Sequence, residues 1–264
     1  MNTAPAVSVV VSHFDRRAWL PEALDSIAAQ TFSDFEIVVV GDAGPDASSL
    51  VATWARGRAF PTRHIQRTLN GGVAATRNTG VLAARGALIA YLDDDDLWSP
   101  DHLAGLADLL AQRPECGLAY GDAEVWRVTA APGPPLTWPV RERLTLAVPF
   151  DLDDLKRDDF IVPGGMVHRR ALYDAVGPYD ESLFVSDDWD WLLRAIALTP
   201  FARLPRVVVT VRIQADGGNL SADRGARRRA ALDAIEQRHG TPHLEPKTFW
   251  EVAETYALRP GSAS

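Results

Sequence analysis

The chain is poor in cysteine: Cys116 is the single one among 264 residues. One cysteine excludes an intrachain disulfide and is typical of a reducing compartment. No apolar run approaches the ~20 residues that a membrane-spanning helix needs. The N-terminus lacks the basic start and long apolar stretch of a signal peptide. We therefore expect a cytoplasmic protein with no transmembrane segment, and peripheral contact with a membrane substrate is compatible with the sequence.

Basic residues are also few in relation to acidic ones. The chain has 27 Lys and Arg against 35 Asp and Glu, which gives a formal net charge of −8. Because a nucleic-acid-binding protein needs a basic face, we expect no nucleic-acid partner. A hydrophobic content of 47% and a charged content of 23% are typical of a soluble globular protein. The length suits one large domain or two tightly joined lobes.

Apolar runs alternate with helical patterns in the first half of the chain. The predicted strands are Val7–Ser12, Glu36–Val40, Arg63–Arg67, Leu88–Leu92 and Gly117–Tyr120, and the predicted helices are Leu20–Gln30, Ser48–Arg58, Val73–Ala84 and Leu103–Arg113. Several strands are continuous Val/Ile/Leu runs, which indicates burial on both faces. This alternation predicts an α/β fold with a parallel sheet. Ser99 and Pro100 fit the N-cap and the first position of the last helix.

The pattern weakens after a loop rich in Pro and Gly at Ala130–Pro139. Beyond it we predict a helix at Trp191–Leu198, a strand at Val207–Ile213 and a basic helix at Arg224–Arg238. No pattern is evident after this last helix.

Four consecutive aspartates, Asp93–Asp96, follow the apolar run Leu88–Leu92. Adjacent like charges disfavour an ordered structure unless something neutralises them, and Mg²⁺ and Mn²⁺ prefer carboxylate oxygens. In an open parallel sheet, ligands bind at the carboxyl ends of the strands. The aspartates therefore predict a site for a metal and a phosphate. The alternative is an acidic loop followed by a helix cap.

Two other predicted strands also end in polar residues. Ser12 closes the first strand and Asp42 follows the second, so both belong to the edge where a nucleotide would lie. Asp42 is a candidate acceptor for a base N–H or for ribose hydroxyls, or else a turn cap. Asn70–Gly72 forms a glycine-rich entry to a helix that carries Arg77. Such an entry allows an anion to approach the backbone, although a plain loop explains it as well.

These motifs resemble, in order and spacing, those of family 2 glycosyltransferases with the GT-A fold. The matching segments are Val7–Phe14, Gln30-Thr31 with Glu36-Ile37, Gly41–Asp46, Asn70–Gly72 with Arg77–Gly80, Leu92–Pro100, Gly164-Gly165 and Asp187–Arg194. The resemblance implies an α/β fold of the GT-A type, with a Rossmann-like, mostly parallel central sheet flanked by helices. It implies a single domain, 1–264, with a nucleotide-sugar-binding half (1–97), an acceptor-binding half (98–222) and a C-terminal helical tail (223–264).

The resemblance also implies roles for individual residues. The implied nucleotide-binding residues are Ser12, Asp42, Arg77 and Asp94, and the implied acceptor-binding residues are Gly164, Gly165 and Asp187. Asp95 matches the carboxylate that binds the divalent cation, Mn²⁺ or Mg²⁺, which stabilises charge on the leaving diphosphate. Asp188 matches the base that removes the proton of the acceptor hydroxyl. Asp93 and Asp96 have no firm match.

Three positions depart from the family pattern. Gly41 stands where an Asp is usual, and His13 and Asp15 lie near a usual Tyr-Asn pair. Gln214 stands where a His that helps at the metal or diphosphate is common. Arg212 or Asp216 compensates for that His, or the segment is a closing loop with no ligand role.

The implied enzyme is an inverting glycosyltransferase of the hexosyltransferase type. Its donor would be a nucleotide diphosphate-sugar, a UDP-sugar in the first place and a GDP- or dTDP-sugar otherwise, and its acceptor a hydroxyl group. Two alternatives stay open. A nucleotidyltransferase has a similar sheet and a carboxylate-bound metal, and a non-catalytic nucleotide-sugar-binding module has the same fold. The sequence does not fix the sugar or the acceptor.

Overall fold

A computed structural model describes residues 4–129, 138–215, 219 and 222–257. Its strands are β1 (Val7–His13), β2 (Phe35–Asp42), β3 (Thr62–Arg67), β4 (Leu88–Asp93), β5 (Leu97–Trp98), β6 (Leu118–Val128), β7 (Val140–Leu146), β8 (Met166–Arg169) and β9 (Phe201–Gln214). Its helices are α1 (Leu20–Ala28), α2 (Ser48–Ala55), α3 (Gly72–Ala83), α4 (His102–Gln112), α5 (Leu152–Leu155), α6 (Arg170–Val176), α7 (Asp187–Ile196), α8 (Ala226–His239) and α9 (Phe249–Ala257), with a 3₁₀ turn η1 at Pro163–Gly165.

The first half of the chain forms a parallel sheet in the order β3-β2-β1-β4. Every residue of β1 and β2 is buried, as the continuous apolar runs predict. Ser12 is paired with Val40 on one side and with Asp93 on the other. The polar ends of β1, β2 and β4 therefore meet at one edge of the sheet, as the sequence predicts.

The second half extends the same sheet with strands of both directions. β8 is antiparallel to β4 and β6, β6 is parallel to β9, and β5 and β7 add antiparallel pairs at the margins. The predicted α/β fold, with a central sheet flanked by helices, is confirmed. Its parallel part lies in the first half, and the second half makes the sheet mixed.

The start of α4 differs from the prediction. The helix begins at His102 and not at Pro100, and Ser99 is not its N-cap. Instead, the side chain of Gln30, two residues after the end of α1, reaches this turn: its Oε1 accepts from the Leu103 amide at 2.9 Å and its Nε2 donates to the Ser99 carbonyl at 2.7 Å. A distant glutamine therefore satisfies a helix terminus that local patterns assign to serine.

Two other helices differ from expectation. α7 begins at Asp187, four residues before the predicted Trp191. α9 lies in the expected C-terminal helical tail, beyond the last helix for which the sequence pattern gives bounds. A capping box marks its start: the Thr248 amide donates to Glu251 Oε2 at 2.8 Å, and the Glu251 amide donates to Thr248 Oγ1 at 3.3 Å. This Thr-x-x-Glu spacing is the signal in the sequence that predicts the helix.

Aromatic side chains fix α7 against the end of the parallel sheet. Trp191 is fully buried, and its ring stacks on Tyr179 with centroids 5.3 Å apart. Tyr91 of β4 meets Tyr179 edge-on and hydrogen-bonds to His168 at 2.8 Å. This packing sets the start of α7 beside the end of β4.

Across the described ranges, none of the helices combines the length and apolar character that crossing a bilayer requires.

Candidate active site

A cavity of about 600 Å³ opens at the edge where β1, β2 and β4 end. Each of the three predicted segments of the chain contributes to its lining. The first half supplies Ser12, His13, Arg16, Asp42, Arg77 and Asp93–Asp96; the second half supplies Asp159, Gly164, Asp187, Asp188 and Arg212; the tail supplies Arg228, Leu232, Lys247 and Phe249. The tail is therefore part of the cavity wall.

The loop after β1 holds Asp94. Its Oδ2 accepts from His13 Nδ1 at 2.7 Å and from the Phe14 amide at 3.2 Å, and its Oδ1 lies 3.5 Å from Arg16 Nη1. Because a carboxylate oxygen accepts, His13 carries its proton on Nδ1. His13 Nε2, which is buried, has no hydrogen-bond partner in the part of the chain described. Asp94 thus fixes the tautomer of a histidine at the cavity wall.

Asp95 and Asp96 are buried in the floor of the cavity. Asp95 Oδ2 lies 2.5 Å from Arg16 Nη1 and accepts from Asn219 Nδ2 at 3.2 Å. Burial raises the pKa of Asp95 to about 7; Arg16 opposes the shift, while the neighbouring carboxylates add to it. Burial likewise raises the pKa of Asp96 well above its usual range. The neighbouring arginines do not fully offset the cost of burying these negative charges. A divalent cation bound here would lower that cost.

The cavity residues have the right chemistry for a divalent cation, but they supply few ligands for it. Carboxylate oxygens are the hard ligands that Mn²⁺ and Mg²⁺ take, and Asp95 points such oxygens at the cavity. Among the described residues, however, no three His, Cys, Asp or Glu side chains converge as a ready cation cage. The residues therefore fit a cation that completes its coordination with oxygens from a bound ligand.

Asp42 is engaged by the loop that leads into α3. Its two carboxylate oxygens accept from the Gly71 amide at 3.0 Å and from the Gly72 amide at 2.8 Å, and Arg67 Nε lies 3.3 Å away. The side chain is 5% exposed and lines the cavity. Gly72 has a φ of +79°, a conformation that glycine adopts without strain. Asp42 thus shapes the glycine-rich entry that the sequence marked separately.

Arg77 connects the aspartate cluster to α7. Its Nη2 lies 3.3 Å from Asp93 Oδ2, and its Nη1 lies 3.1 Å from Asp187 Oδ2 and 3.8 Å from Asp188 Oδ2. The guanidinium is 3% exposed. Burial works against its charge, but these carboxylates hold the pKa of Arg77 above its usual value. One buried cation therefore joins the predicted donor half to the predicted base.

The start of α7 presents two carboxylates of different character. Asp187 is buried, which raises its pKa to about 7, with Arg77 opposing the shift. The side chain of Asp188 is 20% exposed, and its Oδ1 accepts from the Trp189 amide at 3.0 Å. Ser186, which precedes the helix, has a φ of +61°, a turn that aims the first residues of α7 at the cavity. Asp188 is thus the more accessible of the pair.

The remaining predicted residues divide between the cavity and its support. Ser12 lines the cavity, and its buried Oγ has no hydrogen-bond partner among the residues that the structure describes. Gly164 also lines it and accepts at its carbonyl from Trp98 Nε1 at 2.7 Å, whereas Gly165 is buried behind it against Val162 and Val209.

The segment with the missing histidine is anchored at the same place. The Arg212 amide donates to Asp96 Oδ1 at 2.9 Å, and its guanidinium bonds to the Asp95 carbonyl and lies 2.5 Å from Glu22 Oε2. Gln214 is not among the cavity-lining residues, and Asp216 lies outside the described residues. Of the proposed substitutes for the histidine, Arg212 therefore reaches the aspartate cluster.

Sequence patterns do not indicate several charged residues of the cavity, among them Arg16, Asp159 and Arg228. Arg16 lies two residues after the matching segment Val7–Phe14, so its position beside Asp95 is close to that motif. Asp159 and Arg228 are brought in by packing of the second half and the tail, and no spacing pattern marks them.

Comparison with known proteins gives this geometry a family. The profile described as Glycosyl transferase family 2 matches residues 8–173, which includes β1 to β4 and the aspartate cluster. The chain belongs to glycosyl transferase family 2. It is therefore a glycosyltransferase. The uncharacterized glycosyltransferase YwdF of Bacillus subtilis is 33% identical over 248 residues, which cover 94% of this chain and 89% of that relative.

Solved family structures confirm the GT-A fold. Staphylococcus aureus TarS 1–349 in complex with UDP-GlcNAc aligns with a TM-score of 0.64 at 18% identity over 88% of this chain, which spans 65% of that one. The mannosyltransferase PcManGT of Pyrobaculum calidifontis, in complex with GDP-Man and Mn²⁺, aligns with a TM-score of 0.65 at 20% identity over 97% of this chain and 70% of its own.

Proposed function

We propose that this glycosyltransferase moves a sugar from a nucleotide diphosphate-sugar to a hydroxyl acceptor in one metal-assisted, inverting displacement. The observation that carries the proposal is the position of Asp95 and Asp188 on one cavity. Arg77 lies between them, in contact with Asp188 and with Asp93 of the same aspartate cluster. A leaving diphosphate needs positive charge, and an attacking hydroxyl needs a base on the opposite side of the sugar. This cavity has candidates for both.

The donor is assigned to the strand ends. Ser12, Asp42 and Asp94 would contact the base and ribose, and the buried Ser12 Oγ is a hydrogen-bonding group suited to a ligand. Arg77 would act near the diphosphate from its place beside Asp93. The ligands of TarS and PcManGT, UDP-GlcNAc and GDP-Man, support a nucleotide-sugar. We propose a UDP-sugar first, with GDP- and dTDP-sugars as alternatives.

Asp95 would hold Mn²⁺ or Mg²⁺ together with oxygens of the diphosphate. When bound, the cation acts as a Lewis acid that stabilises the charge on the departing nucleoside diphosphate. The burial of the Asp95 carboxylate, which raises its pKa, supports this role. The Mn²⁺ in the PcManGT complex supports the same class of metal.

Asp188 is proposed as the base. It accepts the proton of the acceptor hydroxyl while that oxygen bonds to C1 of the sugar and the bond from C1 to the diphosphate breaks. A direct attack opposite the leaving group inverts the anomeric centre, whereas a covalent intermediate would retain it. The acceptor would lie over Gly164, which Gly165 supports from behind, and near Asp187, in the half that spans 98–222. We place the reaction in the cytoplasm.

Binding and turnover test this proposal separately. Thermal shift with UDP-, GDP- and dTDP-sugars in the presence of Mn²⁺ identifies the donor, since a ligand that binds the folded state raises the midpoint. Release of nucleoside diphosphate from that donor is then measured with water or an alcohol as acceptor, and NMR of the product gives its anomeric configuration. We expect inversion. Release of pyrophosphate would indicate a nucleotidyltransferase, and binding without turnover across many acceptors would indicate a binding module.

The metal assignment has a matched control. Asp95→Ala is expected to abolish the Mn²⁺-dependent part of donor binding and turnover, whereas Asp108→Asn, at an exposed position of α4 outside the cavity, leaves both unchanged. Equal turnover by Asp95→Ala and wild type would refute the metal assignment.

A further inference from the structure

Asp159 is a carboxyl group next to the proposed base. It lies between α5 and η1, lines the cavity with Asp188 and hydrogen-bonds to it. Its Oδ1 is buried, and the described parts of the chain offer that oxygen no hydrogen-bond partner. An acid in direct contact with the base affects the protonation state and the orientation of that base.

Two carboxyl groups in hydrogen-bond contact share a proton, since both cannot be ionised without strong repulsion. Burial raises the pKa of Asp159 well above its usual range; the Asp188 carboxylate adds to the shift and Arg228 opposes it. Asp188 has partners that stabilise negative charge, namely the Trp189 amide at 3.0 Å and Arg77 Nη1 at 3.8 Å. The shared proton therefore resides on Asp159.

The segment that carries Asp159 is held on both sides. The adjacent Asp158 accepts from Lys247 Nζ at 2.6 Å. On the other side, Trp189 of α7 donates from Nε1 to the Leu155 carbonyl at 2.6 Å. The tail and α7 thus both fix this loop, which keeps Asp159 at a constant position relative to Asp188.

We propose that Asp159 is a positioning residue: as a neutral acid it donates a hydrogen bond to one oxygen of Asp188 and leaves the other oxygen directed at the acceptor hydroxyl. This inference rests on the proposed role of Asp188. In the reaction, the hydroxyl proton moves to Asp188 as the acceptor oxygen bonds to C1 and the diphosphate leaves. Asp159 keeps its own proton throughout, and Asp188 returns the transferred proton to water after product release.

Two substitutions of similar size separate positioning from packing. Asp159→Asn retains a donor toward Asp188, and Asp159→Leu does not. We expect Asp159→Asn to stay within about fivefold of the wild-type kcat and Asp159→Leu to lose about tenfold or more, part of the 10²–10⁴-fold that a positioned base contributes. Donor affinity should be unchanged in both. Equal kcat values for the two variants would contradict the proposal.

The pH profile gives a readout that a structural role would not move. The charged groups that face Asp159 are Asp187 and Asp188 of α7 and Arg228 of α8; on its own segment, Asp158 is paired with Lys247. As the pH rises through the raised pKa of Asp159, the hydrogen bond is replaced by repulsion and kcat falls. Asp159→Asn cannot lose that proton, so its profile should lack this alkaline limb. A limb that persists unchanged in Asp159→Asn would overturn the assignment.

An infrared measurement tests the proton without turnover. The difference spectrum between wild type and Asp159→Asn at neutral pH should contain the C=O stretch of a protonated carboxylic acid, and its absence would refute a neutral Asp159 even if Asp159→Leu does not fold. Wild-type release of nucleoside diphosphate tests the proposed function itself. If the wild type is active but the infrared band is absent, only the role of Asp159 is refuted. If the wild type binds donors but never turns them over, the proposed function is refuted.

Discussion

Replacing Arg77 by Met should destabilise the protein severely. At the observed separations of 3.1, 3.3 and 3.8 Å, an effective dielectric of ~20 gives about 4–5 kcal/mol of attraction per carboxylate. The desolvation of the ions offsets most of that attraction. Removing the cation, however, leaves Asp187 buried and unpaired, and breaking a buried ion pair such as Arg77–Asp187 costs about 3–5 kcal/mol. Asp93, whose side chain is 34% exposed, adds less. We expect a loss of that size in the free energy of unfolding at pH 8.

The loss should depend on pH with a defined sign. Without Arg77 the folded-state pKa of Asp187 rises further above its unfolded value, so the variant loses stability as pH rises through that pKa. The difference between wild type and Arg77→Met should therefore shrink from pH 8 to pH 5.5, because protonation neutralises the unpaired carboxyls.

Urea denaturation followed by tryptophan fluorescence measures these differences. A double-mutant cycle with Asp187→Leu should show coupling, since removing both partners costs less than the sum of the single losses. Arg113→Met, which replaces an arginine that is 62% exposed, should change stability by less than about 0.5 kcal/mol. A loss below about 1 kcal/mol for Arg77→Met at pH 8, or strict additivity in the cycle, would refute the reasoning.

Three further predictions concern acid stability, helix packing and the support of Gly164. Burial lowers the pKa of His102 to about 3, so the unfolded chain binds the extra proton between about pH 6.5 and 3. This residue therefore lowers stability by about 1.4 kcal/mol per pH unit as the pH falls through that window; acid titration of the unfolding free energy should be flatter by that slope in His102→Phe, and an equal slope would contradict it. A Cβ at Gly80 would overlap Val10, so Gly80→Ala should cost about 1–3 kcal/mol, and an unchanged urea midpoint would show that α3 can move away from β1. Trp98→Phe removes the 2.7 Å bond to the Gly164 carbonyl and should cost about 1–3 kcal/mol for the unpaired acceptor, measured in the same assay; a wild-type midpoint would mean that another donor replaces it.

The donor side of the site was largely predictable from the sequence. Ser12, Asp42 and the aspartate cluster each follow a buried parallel strand, and parallel strands of one sheet bring their carboxyl ends to a common edge. Their convergence therefore follows from local patterns and one topological rule. The structure places all of them on one cavity.

The rest of the site and its support depend on contacts between residues that are distant in the sequence. No local pattern encodes such contacts. Gln30, and not Ser99, satisfies the start of α4 because tertiary packing brings α1 against it. The resemblance assigns Arg77 to a nucleotide, yet its side chain also contacts Asp187, which lies 110 positions away in the sequence. Asp159 and Arg228 reach the cavity only because the second half and the tail fold over it. α9 is different, since its capping box, Thr248 with Glu251, is a local signal in the sequence.

The most direct test of the account is donor turnover by Asp188→Asn, measured with the donor that stabilises the wild-type protein and with Mn²⁺ present. Donor affinity is determined in the same samples. We expect unchanged donor affinity and a loss of nucleoside diphosphate release of about 100-fold or more, because a positioned base contributes 10²–10⁴-fold. Release at the wild-type rate would contradict the assignment of Asp188 as the base and with it the proposed mechanism.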